Sequence, residues 1–253
     1  MRPRLAAIAI VLPAALLGAG CVIGDLALTA RTKSVEQRPI DRDGTFHLKN
    51  VNGKVEIATW DQPSVRIEAD KAATSQDALE AVEVRITGQG SRVDVDTRFP
   101  RRGPFGSPAK VDYRVSLPPG VRIEIQTVNG AVTVRKAAGG VRATTVNGSV
   151  TVDDAAGDVE LSAVNGSVQA KVSSPDSRGR HELATTNGSV TLQVPNGVQG
   201  QFEAQTVNGG IHCDLPFKVQ GKFGPKHLKG SLGDGIGRFD LKTVNGSVTI
   251  KTI

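Results

Sequence analysis

The sequence predicts an all-β chain folded as a β-solenoid resembling a parallel β-helix, that is, a stack of short strands joined by repeated tight turns. The phrase Thr-Val-Asn-Gly recurs with small variations along the chain. Its flanks are rich in Val and Thr, which favour strands. Through the central part of the chain the Asn residues of the phrase lie 18, 18, 22 and 21 residues apart. A period of about 18 to 22 residues indicates a repeat architecture.

Each copy of the phrase predicts a tight turn, because Asn-Gly tolerates positive φ at both positions. The predicted turns are Asn52-Gly53, Asn129-Gly130, Asn147-Gly148, Asn165-Gly166, Asn187-Gly188, Asn208-Gly209 and Asn245-Gly246. We assign them a structural role, since stacked strands allow identical Asn side chains to pair in a ladder. The two longer gaps, of 77 and 37 residues, are near multiples of the period. We therefore expect repeats that have lost the phrase inside those gaps.

The side-chain alternation bears on the choice between a meander of hairpins and a solenoid. In a two-residue hairpin, Val146 would lie on the polar face that carries Thr144 and Thr151. At a solenoid corner the chain rotates, so the same Val could point inward. We favour the solenoid on this ground. The residues that it predicts to be buried are Val146, Val150, Val152, Leu161, Val164 and Val168.

Before the regular repeats, the sequence predicts strands over residues 46–49, 55–60 and 65–69, followed by one short helix over residues 74–81. Thr74 and Asp77 have the spacing of a capping box, and good helix formers follow. Residues 98–110 form a basic loop rich in Pro and Gly. From residue 111 to the end the pattern is strand and turn. We expect residues 34–253 to be a single domain.

The first residues are typical of an export signal. Arg2 and Arg4 precede an apolar stretch over residues 5–17, and small residues lead into Cys21. This pattern resembles the bacterial lipobox, except that Leu17 lies one place too early and Gly18 takes its position. We expect residues 1–20 to be a signal peptide, Cys21 to be lipidated and residues 21–33 to be a tether. The protein would then be exported and anchored in the cell envelope, the alternative being a soluble periplasmic or secreted protein.

Composition excludes several classes of function. The formal net charge of +6 falls to +4 without residues 1–20, and aromatic residues make up only 4% of the chain. A nucleic-acid partner is therefore not expected. The four histidines lack metal-ligand spacing, and no nucleophile motif is present. We predict no catalytic residue, no metal site and no cofactor. Cys213, the second cysteine, is expected to be a small buried hydrophobe.

Several stretches together resemble a known family. They are residues 46–69, Leu117-Pro118-Pro119-Gly120-Val121, the Val-Asn-Gly-Ser-Val repeats and the Gly-rich residues 230–237. The chain is similar over residues 34–253 to the bacterial β-strand-repeat family named "putative adhesin", a domain of unknown function in exported and lipid-anchored proteins. The resemblance implies an envelope protein of the β-solenoid type and carries over no catalytic residues.

Two functions of different class fit these observations. The first is a non-catalytic envelope scaffold or adhesin-like interaction module. Its partners would be the membrane, through the lipid at Cys21, and an envelope glycan or another envelope protein. The alternative is a carbohydrate-active β-helix enzyme, a polysaccharide lyase or hydrolase, which needs acidic residues that converge on one face. Acidic side chains gathered beside a groove would favour the enzyme.

Overall fold

The computed structural model describes residues 10–12, 28–99, 108–173, 179–216, 226–233 and 237–253. In this part of the chain almost every segment is strand, so the prediction of an all-β protein is confirmed. The N-terminal strands are β1 (Ile10–Leu12), β2 (Ala30–Lys49), β3 (Val55–Thr59), β4 (Ser64–Ala73), β5 (Glu83–Arg98) and β6 (Ala109–Leu117). The central strands are β7 (Arg122–Gln126), β8 (Val132–Arg135), β9 (Val141–Asn147), β10 (Val150–Ala155), β11 (Val159–Asn165), β12 (Val168–Val172), β13 (Arg180–Asn187) and β14 (Val190–Val194). The C-terminal strands are β15 (Gly200–Asn208), β16 (Ile211–Cys213), β17 (His227–Leu232), β18 (Arg238–Asn245) and β19 (Val248–Thr252).

The strands form two facing walls of a solenoid-like stack. Wall A runs β1–β2–β4–β6–β3–β8–β10–β12–β14–β19–β16. Wall B runs β5–β2–β7–β9–β11–β13–β18–β15–β17. In each central rung the chain passes along wall B, turns at Asn-Gly and returns along wall A, so neighbouring strands within a wall are parallel. Strand β2 serves both walls, because its register shifts between Ile40 and Thr45.

Alternation along each strand builds the core. In β11, Val159, Leu161 and Ala163 are buried, and in β10 Val150 and Val152 have no exposed surface. These side chains point between the walls, since successive residues of a strand face opposite sides. One continuous cluster of mostly Val, Ile, Leu and Ala therefore runs the length of the stack. A thin core of this kind needs few aromatic residues.

The predicted helix is present as α1 (Gln76–Glu80), but its cap is not the predicted one. Ser75 is the N-cap, and its side chain accepts a hydrogen bond from the backbone N–H of Ala78. Thr74 lies one position earlier, and its backbone N–H donates to the carbonyl of Pro108. The capping box expected of Thr74 and Asp77 is therefore wrong by one residue, because the serine hydroxyl takes the capping position.

The longest gap in the repeat holds one rung without the phrase, in which β5 lies parallel to β2 in wall B and β6 lies parallel to β3 in wall A. Asn52 and Asn129 are 77 residues apart in sequence but form a direct parallel bridge. The residues between them add β4, β5 and β6 at the N-terminal end of the stack. At the other end, β18 inserts between β13 and β15, and β17 pairs antiparallel with β15. The final repeat in sequence is therefore an internal rung of the stack. The 77-residue gap thus contains one rung without the phrase, and the described residues of the 37-residue gap form none.

Aromatic rings stack inside the C-terminal part of the core. Phe202 and Phe239 lie with ring centroids 4.3 Å apart, and His181 stacks on the other side of Phe239 at 4.8 Å. The three residues occupy the same register position in β15, β18 and β13. Burial lowers the pKa of His181 to about 4, and the negative charge of Asp158 offsets part of that effect. The imidazole is therefore neutral in the folded protein at neutral pH.

This burial makes a prediction about acid stability. The pKa of an unfolded histidine is about 6.5, so between pH 6.5 and pH 4 the unfolded chain binds the proton more readily. The contribution of His181 to stability is present above pH 6.5 and is lost as pH falls towards 4, by up to about 3 kcal/mol. We expect His181→Phe, which extends the aromatic stack, to lose less unfolding free energy than the parent between pH 7 and pH 4.5 in urea titrations. His212→Gln, at an exposed histidine, is the control, and equal pH profiles for all three proteins would contradict the prediction.

Candidate functional surface

The first position of the Thr-Val-Asn-Gly phrase points into the core. Thr145, Thr185, Thr206 and Thr243 are all buried. Each hydroxyl donates to the carbonyl of a turn glycine in the adjacent rung, at 2.8 Å from Thr185 to Gly166. A buried hydroxyl is costly unless it is hydrogen-bonded. This bond satisfies these four threonines and ties their corners to a neighbouring one, whereas the buried hydroxyl of Thr127 has no hydrogen-bond partner among the described residues.

The seven asparagines of the phrase stand one above another in a ladder. Each Nδ2 donates to the Oδ1 of the asparagine in the adjacent rung, at 2.7 or 2.8 Å. From the C-terminal end the order is Asn208, Asn245, Asn187, Asn165, Asn147, Asn129 and Asn52, and Asn52 donates to the carbonyl of Ala109. All the bonds run in one direction, so the amide dipoles reinforce one another.

The glycines of the phrase lie where no side chain fits. A Cβ on Gly166 would stand 1.9 Å from the carbonyl oxygen of Gly148, and one on Gly148 would stand 2.1 Å from that of Gly130. Their φ angles are +157° and +156°. The backbones of successive corners therefore touch, which brings the asparagine amides within hydrogen-bonding distance.

The valine of the phrase points to solvent, and the expectation that Val146 and Val164 are buried is wrong. The exposed fractions are 39% for Val128, 38% for Val146, 42% for Val164, 40% for Val244 and 56% for Val207. The other four predicted core residues, Val150, Val152, Leu161 and Val168, are buried. The strand of wall B continues through the asparagine, so its alternation turns the threonine inward and the valine outward. We call the column Val128, Val146, Val164, Thr186, Val244 and Val207, in stack order, the valine ridge.

The surface around the central part of the ridge carries no charge. In the four rungs from β7–β8 to β13–β14, five outward columns hold only neutral side chains. They are Gln126, Thr144, Ser162 and Ala184; Val128, Val146, Val164 and Thr186; Asn129, Asn147, Asn165 and Asn187; Ala131, Ser149, Ser167 and Ser189; and Thr133, Thr151, Gln169 and Thr191. We call these twenty residues the neutral band. In a chain with 22% charged residues, so large a neutral surface stands out from the rest of the exterior.

Charged columns border the neutral band on wall B. Glu160, Glu182 and Asp240 follow one another in register, and each is paired with an arginine. The Nη2 of Arg142 lies 2.6 Å from Glu160 Oε1, and that of Arg180 lies 3.2 Å from Glu182 Oε2. The carboxylate of Glu160 raises the pKa of Arg142. Glu160 and Glu182 line a shallow groove on wall B, and each is neutralised there by its arginine.

The remaining candidates from the sequence do not form a reactive site. Cys213 is half-buried in the three-residue strand β16, and burial raises the pKa of its thiol. The described residues contain no group of three His, Cys, Asp or Glu side chains placed to hold a metal ion. Cys21, the predicted lipidation residue, lies outside the described residues. Within the described ranges no helix is long and apolar enough to span a membrane.

Two features of the Thr-Val-Asn-Gly phrase were not predicted from the sequence. Four of the buried threonines donate hydrogen bonds to glycine carbonyls, and the valines are exposed at the surface. The signal for both was present in the alternation, which places Val146 with Thr144 and opposite Thr145. The apolar character of valine alone predicted instead that Val146 would be buried.

These features define a class of protein: a two-walled, solenoid-like β-stack whose described surfaces are ladders of repeated side chains. The Toastrack DUF4097 family matches residues 39–251, and the chain belongs to that family. The resemblance to a β-strand-repeat family of unknown function is thereby confirmed.

The solved structures that match this chain share little sequence with it. A "putative cell adhesion protein" from Clostridium sporogenes is 13% identical with a TM-score of 0.45, covering 87% of this chain and 100% of its own. A "putative adhesin" from Parabacteroides distasonis is 8% identical with a TM-score of 0.29, covering 87% and 97%. A "putative lipid binding protein" from the same organism is 9% identical with a TM-score of 0.28, covering 87% and 96%. No curated protein matches the sequence.

Proposed function

We propose that this chain is a non-catalytic interaction module or scaffold of the bacterial cell envelope, exported and held at a membrane by a lipid on Cys21. Its repeats of 18 to 22 residues would present long, regular side-chain columns to an envelope glycan or to another envelope protein. In this proposal the Asn-Gly turns are structural, because their amides and backbones are occupied by neighbouring rungs.

The single observation that carries the proposal is the pairing of the acidic residues on wall B. A polysaccharide lyase or hydrolase needs carboxyl groups that face an open space where a sugar can lie. Here Glu160 and Glu182 each lie against an arginine, and Asp158 accepts a hydrogen bond from the backbone N–H of Arg180 at 2.9 Å. The groove also lacks the aromatic rings on which sugars stack. These features favour a binding surface over an active site.

The experiment that tests this proposal compares degradation with binding. Isolated peptidoglycan and envelope polysaccharides are incubated with the full chain and with Glu160→Gln and Glu182→Gln variants. We expect no release of sugar fragments from any of the three proteins, together with retention of the chain in envelope fractions. Fragment release by the parent that either variant abolishes would establish the enzyme instead.

The membrane anchor gives a separate prediction. Small residues precede Cys21, so Cys21→Ala should abolish lipid modification and move the protein from the membrane fraction to the soluble fraction. Mass spectrometry of the N-terminal peptide measures the modification directly. Cys213→Ala is the matched control and should leave both readouts unchanged. An unmodified N-terminus beyond Cys21 in the native protein would contradict the anchor.

A further inference from the structure

The valine ridge is an apolar column on the outside of an otherwise polar protein. Five valines keep between 38% and 56% of their surface exposed, although the position directly before each of them in the strand is buried. Single exposed apolar residues are ordinary, but contiguous ones mark interaction surfaces. Threonine would satisfy the strand equally well at these positions, as Thr186 does in the same column. The repeated valines therefore indicate a surface that is covered by a partner.

The surroundings of the ridge have the composition of a protein interface. The neutral band contains no charged side chain, and charged columns border it on both sides: Glu124, Arg142, Glu160 and Glu182 on wall B, and Arg135, Asp153 and Lys171 on wall A. Interfaces are depleted of charge at their centre and have a polar, solvated rim. The absence of charge also argues against an anionic membrane surface as the partner. Since the band has no aromatic side chain, a stacked sugar is disfavoured too.

The period of the ridge identifies the partner. Its valines repeat once per rung, at the strand spacing of about 4.8 Å. A partner that contacts every valine must have the same period. A second copy of this chain has the same period because it has the same rungs. A two-fold axis parallel to the stack would place the two ridges against each other. We propose that the valine ridge mediates self-association of two copies with their stacks parallel.

The parallel arrangement follows from the order of the column. With parallel stacks, each rung faces the same rung of its partner, so every valine meets a valine and Thr186 meets Thr186. With antiparallel stacks, Val164 would face Thr186 and part of the apolar contact would be lost. Parallel stacks also put strand β2 of both copies at the same end of the pair. This proposal does not depend on the proposed lipid at Cys21.

The size of the ridge sets the strength of the contact. Six rungs at the strand spacing make it roughly 24 Å long, and together with the adjacent outward column, that of Thr144 and Ser162, it forms a strip roughly 14 Å wide. The area is roughly 350 Å² on each copy, which falls in the class of weak, transient interfaces. Confinement of chains at one surface raises their effective concentration and favours such a contact. Disulfide cross-linking, which captures a transient contact covalently, is therefore the suitable way to detect the dimer.

The test uses cysteine cross-linking of the full chain in isolated membranes, in a Cys213→Ser background that measures any cross-linking through Cys21. Val128→Cys, Val164→Cys and Val207→Cys are each oxidised mildly. Parallel ridges predict a disulfide-linked dimer from all three variants, because each position meets its own copy within the reach of a disulfide. Ala156→Cys, exposed at the opposite end of the rung of Val146 and outside the neutral band, is the control and should give background only.

A second variant separates the ridge from chance collision. Val146→Lys combined with Val164→Lys sets like charges against each other, and we expect it to reduce the Val128→Cys dimer at least about tenfold. Ala138→Lys combined with Ala156→Lys, at exposed positions of two adjacent rungs at the end opposite the ridge, should leave it unchanged. Thermal melting checks that both double variants are folded.

Three results would overturn the proposal. The first is background cross-linking at all three ridge positions. The second is cross-linking only between Val128→Cys and Val207→Cys in a mixture, which would mean antiparallel stacks. The third is a folded lysine variant that keeps its dimer but loses binding to peptidoglycan sacculi, or to vesicles of phosphatidylethanolamine and phosphatidylglycerol. That result would assign the ridge to a glycan or to a membrane.

Discussion

Gly166→Ala is expected to lower the free energy of unfolding by about 3 kcal/mol or more. The added methyl would lie 1.9 Å from the carbonyl oxygen and 2.5 Å from the carbonyl carbon of Gly148. Neither atom can move alone, because Gly148 is fixed by the corner below it. To relieve this steric clash the two rungs would have to separate, which would stretch the hydrogen bond between the side chains of Asn165 and Asn147. Chemical denaturation measures the loss.

Gly210→Ala is the matched control for that substitution. It lies beside Gly209 in the corner of the outermost rung, and a Cβ there would meet no atom within 4 Å. We expect its effect to stay within about 0.5 kcal/mol. If Gly166→Ala were as mild as Gly210→Ala, the close contact between corners would be wrong.

Val168→Asp and Val164→Asp are expected to differ by several kcal/mol although they flank the same corner. Val168 has no exposed surface, so an aspartate there would bury an unpaired charge and cost about 4 kcal/mol or more. Val164 is 42% exposed, and an aspartate there costs about 1 kcal/mol, through the lower strand propensity of aspartate. Thermal and chemical melting of the two variants give the comparison. Equal losses would mean that both valines are buried, as polarity alone suggested.

The sequence predicts the all-β class because its signals are local. Asn-Gly marks corners, and Val and Thr mark strands, whatever lies next to them in space. The direction of Thr145 and Val146 is different, since it depends on whether the strand continues through the corner. The buried hydroxyl of Thr145 is satisfied because the carbonyl of Gly130, in another rung, accepts its hydrogen bond. That partner lies 15 residues away in sequence and cannot be inferred from the phrase itself.

The order of the rungs is the second feature that the sequence does not determine. The copies at Asn187, Asn208 and Asn245 are nearly identical, so their pattern cannot tell which lie next to each other. The structure places Asn245 between the other two, with the rings of Phe239 and Phe202 stacked beneath the same rungs. This order of the rungs is determined by the pairing of β18 with β13 and β15, which are distant from it in sequence. The valine ridge could not be predicted for a related reason, because the residues of a column can be identified only when the order of the rungs is known.

The most direct test of the account is to change the asparagine ladder and measure stability and envelope attachment together. Asn147→Ser, Asn165→Ser and Asn187→Ser each remove two amide bonds, and about 1–2 kcal/mol of stability with them. That loss should lower the melting temperature by several degrees. Asn208→Ser, at the end of the ladder, removes one such bond and should have a smaller effect. We predict that retention of each variant in isolated envelopes falls only as far as its folded fraction does. Loss of retention at an unchanged melting temperature would show that the Asn-Gly corners are themselves the recognition surface, and would contradict their structural role.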